Sequence, residues 1–207
     1  MIQHLKIGSR LAFGFCLILL LATAILLIGL WRMAELEASS EYVIDQKVAA
    51  MTSAMNMREA GSQLALALRK VVTPTDAAEG KAEDAHLGEI LKAYAGFEKQ
   101  ITGLSADGRG KDLLAATSGE SKKLFPLVEQ IRQQVASNNY FDAAQQLKSD
   151  FLPAHEKWMA SVAALAAFQQ EDMKQAHADA KDSYRKAQIG MLAMGVLTLG
   201  LGFFFTF

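Results

Sequence analysis

Cysteine is nearly absent from this 207-residue chain: Cys16 is the only one, and it lies in an apolar run. Residues 32–186 contain none, which excludes disulfides, cysteine-based metal sites and thiol nucleophiles from that region. HExxH motifs, nucleophile elbows and phosphate-binding loops are also missing. The four histidines are scattered along the chain: His4, His86, His155 and His177. We therefore expect a protein that is not an enzyme and that needs no metal or cofactor.

The two ends of the chain carry very few charged residues. All 22 acidic residues lie within residues 32–186, and the outer segments carry only Lys6 and Arg10 as formal charges. Residues 11–31 would form an apolar helix about 32 Å long, which matches the hydrocarbon core of a bilayer. Residues 187–207 form a second apolar run of sufficient length. The sequence therefore predicts two transmembrane helices that flank a polar region.

The first apolar run also has features of a cleaved signal peptide. Residues 22–24, Ala-Thr-Ala, resemble a cleavage site. Signal peptides have shorter apolar cores than this run, which continues past residue 24 as far as Trp31. An uncleaved membrane anchor is the better interpretation, with Trp31 at the membrane interface.

The basic residues before the first span predict its orientation. They are His4, Lys6 and Arg10, and no acidic residue opposes them. Since short cytoplasmic flanks carry an excess of basic residues, residues 1–10 should be cytoplasmic and residues 32–186 should lie outside the cytoplasm. The overall charge balance gives no sign of a nucleic-acid partner.

Residues 32–186 show apolar residues at helical spacing and no convincing two-residue alternation. A strict seven-residue series marks the first helix: Leu36, Val43, Ala50, Met57, Leu64 and Val71. Further apolar residues widen this stripe: Ile44, Val48, Met51 and Met55. We predict one helix to about residue 72, then a break at "TPTD" in which Thr73 caps the next helix.

Three more amphipathic helices follow, separated by a loop at residues 105–111 and a break at residues 137–140. Pro126 should kink the third helix or mark a restart. If the fourth helix begins near Asp150, its length matches that of the first, so "NNYFDAAQQLKS" should be a separate short helix or a capping segment at the membrane-distal end. The predicted fold is all-α: an antiparallel four-helix bundle between two transmembrane helices.

Several segments carry a resemblance to a known family: "LKIGSRL" before the first span, "MAELEASS" after it, and "NMREAGSQLALALRK", "GEILKAYAGFEKQI" and "NNYFDAAQQLKSDFLPAHEKW" in the bundle. Together they resemble the N-terminal part of bacterial methyl-accepting chemotaxis proteins. The resemblance implies a periplasmic four-helix-bundle ligand-binding domain, residues 32–186, anchored in the bacterial inner membrane as a homodimer.

In such receptors the second span leads into a HAMP linker and a cytoplasmic signalling region that works with a coupling protein and a histidine kinase. Neither follows residue 207, so we expect a receptor fragment that ends just after the second span. Some sensor kinases and diguanylate cyclases share this input domain, which leaves those outputs as alternatives. A membrane-anchored bundle without a ligand is a third possibility.

The same resemblance implies a ligand site at the distal end, where such receptors bind small anions with arginines of the first helix. Arg58 and Arg69 are three turns apart on one side of that helix. Their planar guanidinium groups suit a carboxylate, so we expect an organic acid or an acidic amino acid. Thr73 lies at the same end, and Arg132 and Tyr140 approach it from the third helix.

Each candidate also has an ordinary structural explanation. The arginines could be solvated surface residues, and Thr73 has a sufficient role as a helix cap. Phe151 and Trp158 are expected in the core. Weaker polar candidates for the site are Gln133, Gln134, Asn138 and Asn139.

Overall fold

The computed structural model describes residues 7–104 and 108–206, and every regular element in these ranges is helical. The elements are α1 (Ile7–Tyr42), a π-helical segment (Val43–Val48), α2 (Ala49–Val72), α3 (Ala77–Leu104), α4 (Gly108–Ala136), α5 (Tyr140–Gln146), a second π-helical segment (Leu147–Phe151) and α6 (Leu152–Thr206). The predicted cytoplasmic residues 1–6, the loop residues 105–107 and the final span residue 207 lie outside the described residues.

The chain divides into two compact units. One unit is Ile44–Lys174, and the other combines Met1–Val43 with Gln175–Phe207. The second unit contains the apolar runs for which spans are predicted. Among the described residues, no helix combines the length and the apolar character needed to cross a membrane. The two spans stay predictions.

The unit Ile44–Lys174 is an antiparallel four-helix bundle, as predicted. Lys47, two residues before α2, pairs with Asp172, and further along the chain Gly61 of α2 lies against Trp158. Because the contacts advance along α2 while they move back along α6, these two helices run in opposite directions. The ion pair between Asp84 and Arg132 and the ring contact of Tyr94 with Phe125 show the same for α3 and α4.

The centre of the bundle is a group of three aromatic rings from three helices. Tyr94, Phe125 and Trp158 meet edge to face, with centroid distances of 5.1 to 5.8 Å. Trp158 and Phe151 are fully buried, which confirms their predicted place in the core. Such aromatic pairs add to the hydrophobic stabilisation that burial provides.

The seven-residue series of the first helix is confirmed by burial. Its members in the bundle are all buried: Ala50, Met57, Leu64 and Val71. Two residues expected to widen this stripe do not, since Ile44 and Met55 have 58% and 43% of their surfaces exposed. The helix continues to Val72 as predicted. The spacing of apolar residues did not predict the π-helical segment Val43–Val48.

The connection between α2 and α3 differs from the prediction in its capping. Thr73 ends α2: its backbone N–H and its hydroxyl both donate to the carbonyl oxygen of Arg69, at 3.0 and 2.9 Å. Asp76 caps α3 instead, because its Oδ1 accepts hydrogen bonds from the N–H groups of Ala78 and Glu79, both at 2.8 Å. The prediction that Thr73 caps the second helix was wrong.

Helix α4 is longer and more regular than predicted. It begins at Gly108, so the last four residues of the predicted loop 105–111 are helical. It also continues through Pro126 without a restart. Neighbouring packing outweighs the local effect of the proline, because Leu124 and Val128 on either side of it are both buried in the core.

The segment after α4 confirms a short helix at the predicted place. Helix α5 is not detached, however, because the π-helical segment Leu147–Phe151 joins it directly to α6. The N–H of Leu152 bonds to the carbonyl of Leu147, five residues back. Pro153 follows and has no N–H to donate, which favours a wide turn at this point. Helix α6 begins two residues after the predicted start at Asp150.

Candidate functional site

One end of the bundle contains an open pocket of about 520 Å³, called here the end pocket. The α2–α3 connection and the turn between α4 and α5 meet there. Apolar residues line part of it: Val71, Pro74, Ala77, Gly80, Val135 and Ala136. Polar and charged residues line the rest: Lys81, Asp84, Glu129, Arg132, Gln133, Asn138 and Tyr140. Two predicted site residues, Arg132 and Tyr140, are therefore brought together.

The guanidinium group of Arg132 already has partners. Its Nε and Nη2 donate to Oδ1 and Oδ2 of Asp84 at 2.6 and 2.9 Å, and its Nη1 donates to Glu129 at 3.2 Å. The hydrogen bonds from Arg132 hold the pKa of the Asp84 carboxyl below its ordinary value, so this carboxyl is ionised at neutral pH. Because both acids compensate its charge, Arg132 ties α3 to α4 and is poorly placed to bind an added anion.

Tyr140 lies at the pocket because the chain turns sharply just before it. Asn138 has a positive φ of 60°, and the N–H groups of Asn138 and Asn139 bond to the carbonyls of Val135 and Gln134 at 2.9 and 2.8 Å. This is the Schellman arrangement, in which asparagine is one of the few residues that tolerates the left-handed position. It ends α4 and starts α5 at Tyr140.

Lys81 is the pocket residue that sequence reasoning missed. It is exposed, and its ammonium group has no ionic or hydrogen-bonding partner among the described residues. It precedes Asp84 by three residues, so both project from one side of α3. The spacing alone does not single out Lys81, because an exposed lysine near an acidic residue is common on helix surfaces. The pairing of Asp84 with Arg132, 48 residues away, has no local signal either.

Arg58 and Arg69 do not line the end pocket. Both are exposed on α2, and neither guanidinium group has a partner within the part of the chain that the structure describes. Their three-turn spacing places them on one side of the helix, as predicted. Thr73 is exposed one turn after Arg69, and its hydroxyl donates to the carbonyl oxygen of Arg69. The structure thus separates the predicted site residues into two groups.

Of the weaker candidates, Asn138 and Gln133 line the end pocket, and Gln133, Gln134 and Asn139 line a second opening of about 330 Å³. Its lining is neutral and polar: Gln130, Gln133, Gln134, Ser137, Asn139 and Gln146. The amide of Gln146 donates to Gln130 at 2.7 Å and so links α5 to α4. Throughout the described ranges, no cluster of three His, Cys, Asp or Glu side chains is arranged to hold a metal ion.

Comparison with known families matches residues 4–184 to a family described as a four helix bundle sensory module for signal transduction. The match covers both the helices that line the end pocket and the helix that carries Arg58 and Arg69. No curated protein sequence matches the chain.

Proposed function

Because the chain belongs to the family of four-helix-bundle sensory modules of methyl-accepting chemotaxis proteins, we propose that it is the sensor part of a membrane-anchored chemoreceptor. It detects a small ligand outside the cytoplasm of a bacterium and has no enzymatic activity of its own. The observation that carries this proposal is the length of α6. This single helix begins at the end-pocket side of the bundle and continues from Leu152 to Thr206, so it offers a mechanical route from a ligand to the predicted second span.

The ligand we propose is a small anion, an organic acid or an acidic amino acid, bound by Arg58 and Arg69. Both guanidinium groups are exposed and unpaired among the described residues, so their donors are available to a carboxylate in bidentate geometry. Thr73 lies one turn beyond Arg69 and can position its backbone.

The arginines lie on a face of α2 that a second copy of the chain can cover. Seven-residue steps connect the members of this arginine face, which are exposed apart from the half-buried Val48 and Met51: Val48, Met55, Ser62 and Arg69 in one series, Ile44, Met51 and Arg58 in the other. Met55 and Ile44 expose 43% and 58% of their surfaces. Two such series per helix are typical of a helix-to-helix seam. We expect a homodimer in which each copy contributes its arginine face.

Signal transmission requires that ligand binding change the position of α6 relative to α2. Two polar contacts contribute to that position: the Nζ of Lys47, just before α2, lies 2.8 Å from Oδ2 of Asp172, and the ring Nε2 of His155 lies 2.8 Å from the carbonyl oxygen of Gly61. A ligand that favours one arrangement shifts the equilibrium by its differential affinity for the two arrangements. The shift would reach a coupling protein and a histidine kinase through the cytoplasmic region.

A calorimetric screen of dicarboxylates and acidic amino acids, on the full chain in detergent, tests the ligand. Replacing Arg58 or Arg69 by Ala should weaken binding by about 1.5–3 kcal/mol, the scale of a charge-assisted hydrogen bond. Lysine at either position should restore little of the affinity, because an ammonium group cannot donate two parallel hydrogen bonds to one carboxylate. Unchanged affinity in both alanine variants would reject the arginine site.

Membrane anchoring has its own test. Cysteine introduced at Ser105, in a variant with Cys16 replaced by Ser, should react with an impermeant thiol reagent on cells with a permeabilised outer membrane. Cysteine at Gln3 should be protected under the same conditions. The opposite labelling pattern would reverse the orientation, and recovery of the chain without membranes would remove the anchors from the proposal.

A further inference from the structure

We propose that the end pocket is a second ligand site, complete within one copy of the chain, which binds a monocarboxylate with an apolar body through Lys81. This site is separate from the arginine face. Its role in signalling rests on the proposed sensor function, but ligand binding to the pocket does not. Its geometry stands on the pocket of about 520 Å³ and on the charges that surround it.

The charges around the pocket favour a ligand with a single carboxylate. Asp84 and Glu129 both accept hydrogen bonds from Arg132, which leaves this trio with one net negative charge. Lys81 brings the net charge of the lining to zero, and among the described lining residues it is the cation that forms no ion pair or hydrogen bond. One carboxylate can pair with the ammonium group of Lys81. A second carboxylate would meet Asp84 and Glu129, and repulsion between like charges would oppose it.

The rest of the pocket suits an apolar body. Val71, Pro74 and Val135 contribute wall from three different parts of the chain. Pro74 is held in place by its packing on Gly80, where a side-chain carbon would lie only 3.3 Å from the Cβ of Pro74. Apolar walls with a few placed polar groups are typical of small-molecule sites.

The pocket also has a direct connection to α6. Tyr140 lines the pocket and is the first residue of α5, which continues through the π-helical segment Leu147–Phe151 into α6. A ligand in contact with Tyr140 therefore contacts the same helical run that the proposed function needs for transmission. Arg58 and Arg69 lie on α2, which does not continue into α6, so a ligand there acts on α6 only through the packing of the two helices.

Calorimetry with phenylacetate tests the site on the full chain in detergent, with a titration of ligand-free micelles subtracted. Succinate serves as the matched dicarboxylate. Lys81→Gln should weaken phenylacetate binding by about tenfold or more, as expected for loss of a charge-assisted bond, and Lys81→Arg should retain most of it. Lys92→Gln is the control, because Lys92 lies three turns further along α3, is exposed and does not line the pocket.

The results separate the two proposals. No phenylacetate binding by the natural chain, or equal binding by Lys81→Gln, would overturn the end-pocket site. Tighter Lys81-dependent binding of succinate would overturn the monocarboxylate class. Loss of phenylacetate binding in Arg58→Ala but not in Lys81→Gln would assign it to the arginine face and reject the pocket. Conversely, Lys81-dependent binding that both arginine variants keep supports the pocket even if the arginine site fails.

Discussion

Arg132 and Asp84 form a two-pronged ion pair across the end pocket, with N–O distances of 2.6 and 2.9 Å. The pair joins α4 to α3 at the point where both helices approach their pocket ends. Arg132 was predicted to bind an anion, but its N–H donors are occupied by the carboxylate of Asp84, so it shapes the pocket instead. The charge left for a ligand is then that of Lys81.

The ion pair predicts a loss of stability in acid. Hydrogen bonds from Arg132 lower the pKa of Asp84 in the folded chain, so the stabilisation is complete above the ordinary carboxyl value of about 4 and is lost as the pH falls toward the folded value. Asp84→Asn should cost about 0.5–1 kcal/mol at neutral pH, a range set by the partial exposure of the pair. Melting curves followed by circular dichroism should show this difference shrinking below about pH 4.

Glu120→Gln provides the control for that experiment. Glu120 pairs with Lys123 within α4, at 2.6 Å on the exposed surface, and its removal should change the melting temperature less than Asp84→Asn does at neutral pH. An Asp84→Asn difference that stays constant from neutral pH into acid would contradict the assigned role of the pair.

Gly61 should be intolerant of a side chain. A Cβ there would lie 2.4 Å from Sδ of Met159 and 3.0 Å from the ring of Trp158. Met159 can partly move aside, but the buried ring cannot, so Gly61→Ala should destabilise the bundle by about 1–3 kcal/mol. The same change at Gly96, where an added Cβ would have no side chain or other helix within 4 Å, should stabilise the bundle by about 0.4–1 kcal/mol. Thermal melting of both variants compares them, and equal shifts would refute the close contact of α2 and α6.

Tyr94 should resist ionisation while the bundle is folded. Burial is the main cause that raises the pKa of its phenol, and the charge of Glu98 adds to it. A pKa raised in the folded state gives stability that is present below the unfolded value of about 10 and is lost as the pH rises above it. Tyrosine absorbance should therefore contain a late phase that coincides with alkaline unfolding. Tyr94→Phe should remove that phase, and a variant that retains it would disprove the assignment.

Whether the sequence could predict a feature depends on whether neighbouring residues determine it or residues that are far apart in the chain. The buried series from Ala50 to Val71 and the core position of Trp158 follow from helical periodicity, and both are confirmed. The capping roles of Thr73 and Asp76 were misassigned, because both residue types can cap the start of a helix; Thr73 instead donates to Arg69, and Asp76 accepts from Ala78.

The site was harder to predict for a related reason. Arg132 was singled out by its charge, but its partner Asp84 is brought to it by the antiparallel packing of α3 and α4. Nothing within a short window indicates that pairing. Lys81 was overlooked because an exposed lysine has no distinctive local pattern, and only the pocket around it makes it a candidate.

The arginine face makes a prediction about assembly. Met55 and Ser62 are both exposed on α2 and are separated by two turns. If two copies pack through this face about a two-fold axis, each position lies near its own counterpart. Cysteine at Met55, with Cys16 replaced by Ser, should therefore form a disulfide-linked dimer on mild oxidation in membranes. Lys123→Cys in the same background should not, since Lys123 is exposed on α4.

Band shifts on non-reducing gels measure the outcome, and dilution of the membranes into excess lipid removes collisional products. Cysteine at Ser62 should also cross-link, because it follows Met55 by seven residues on the same seam. Cross-linking at Lys123 that equals that at Met55 would reject α2 as the interface. Phenylacetate should not be needed for the cross-link, because the end pocket lies within one copy of the chain, whereas a ligand held by Arg58 and Arg69 of two copies should increase its yield.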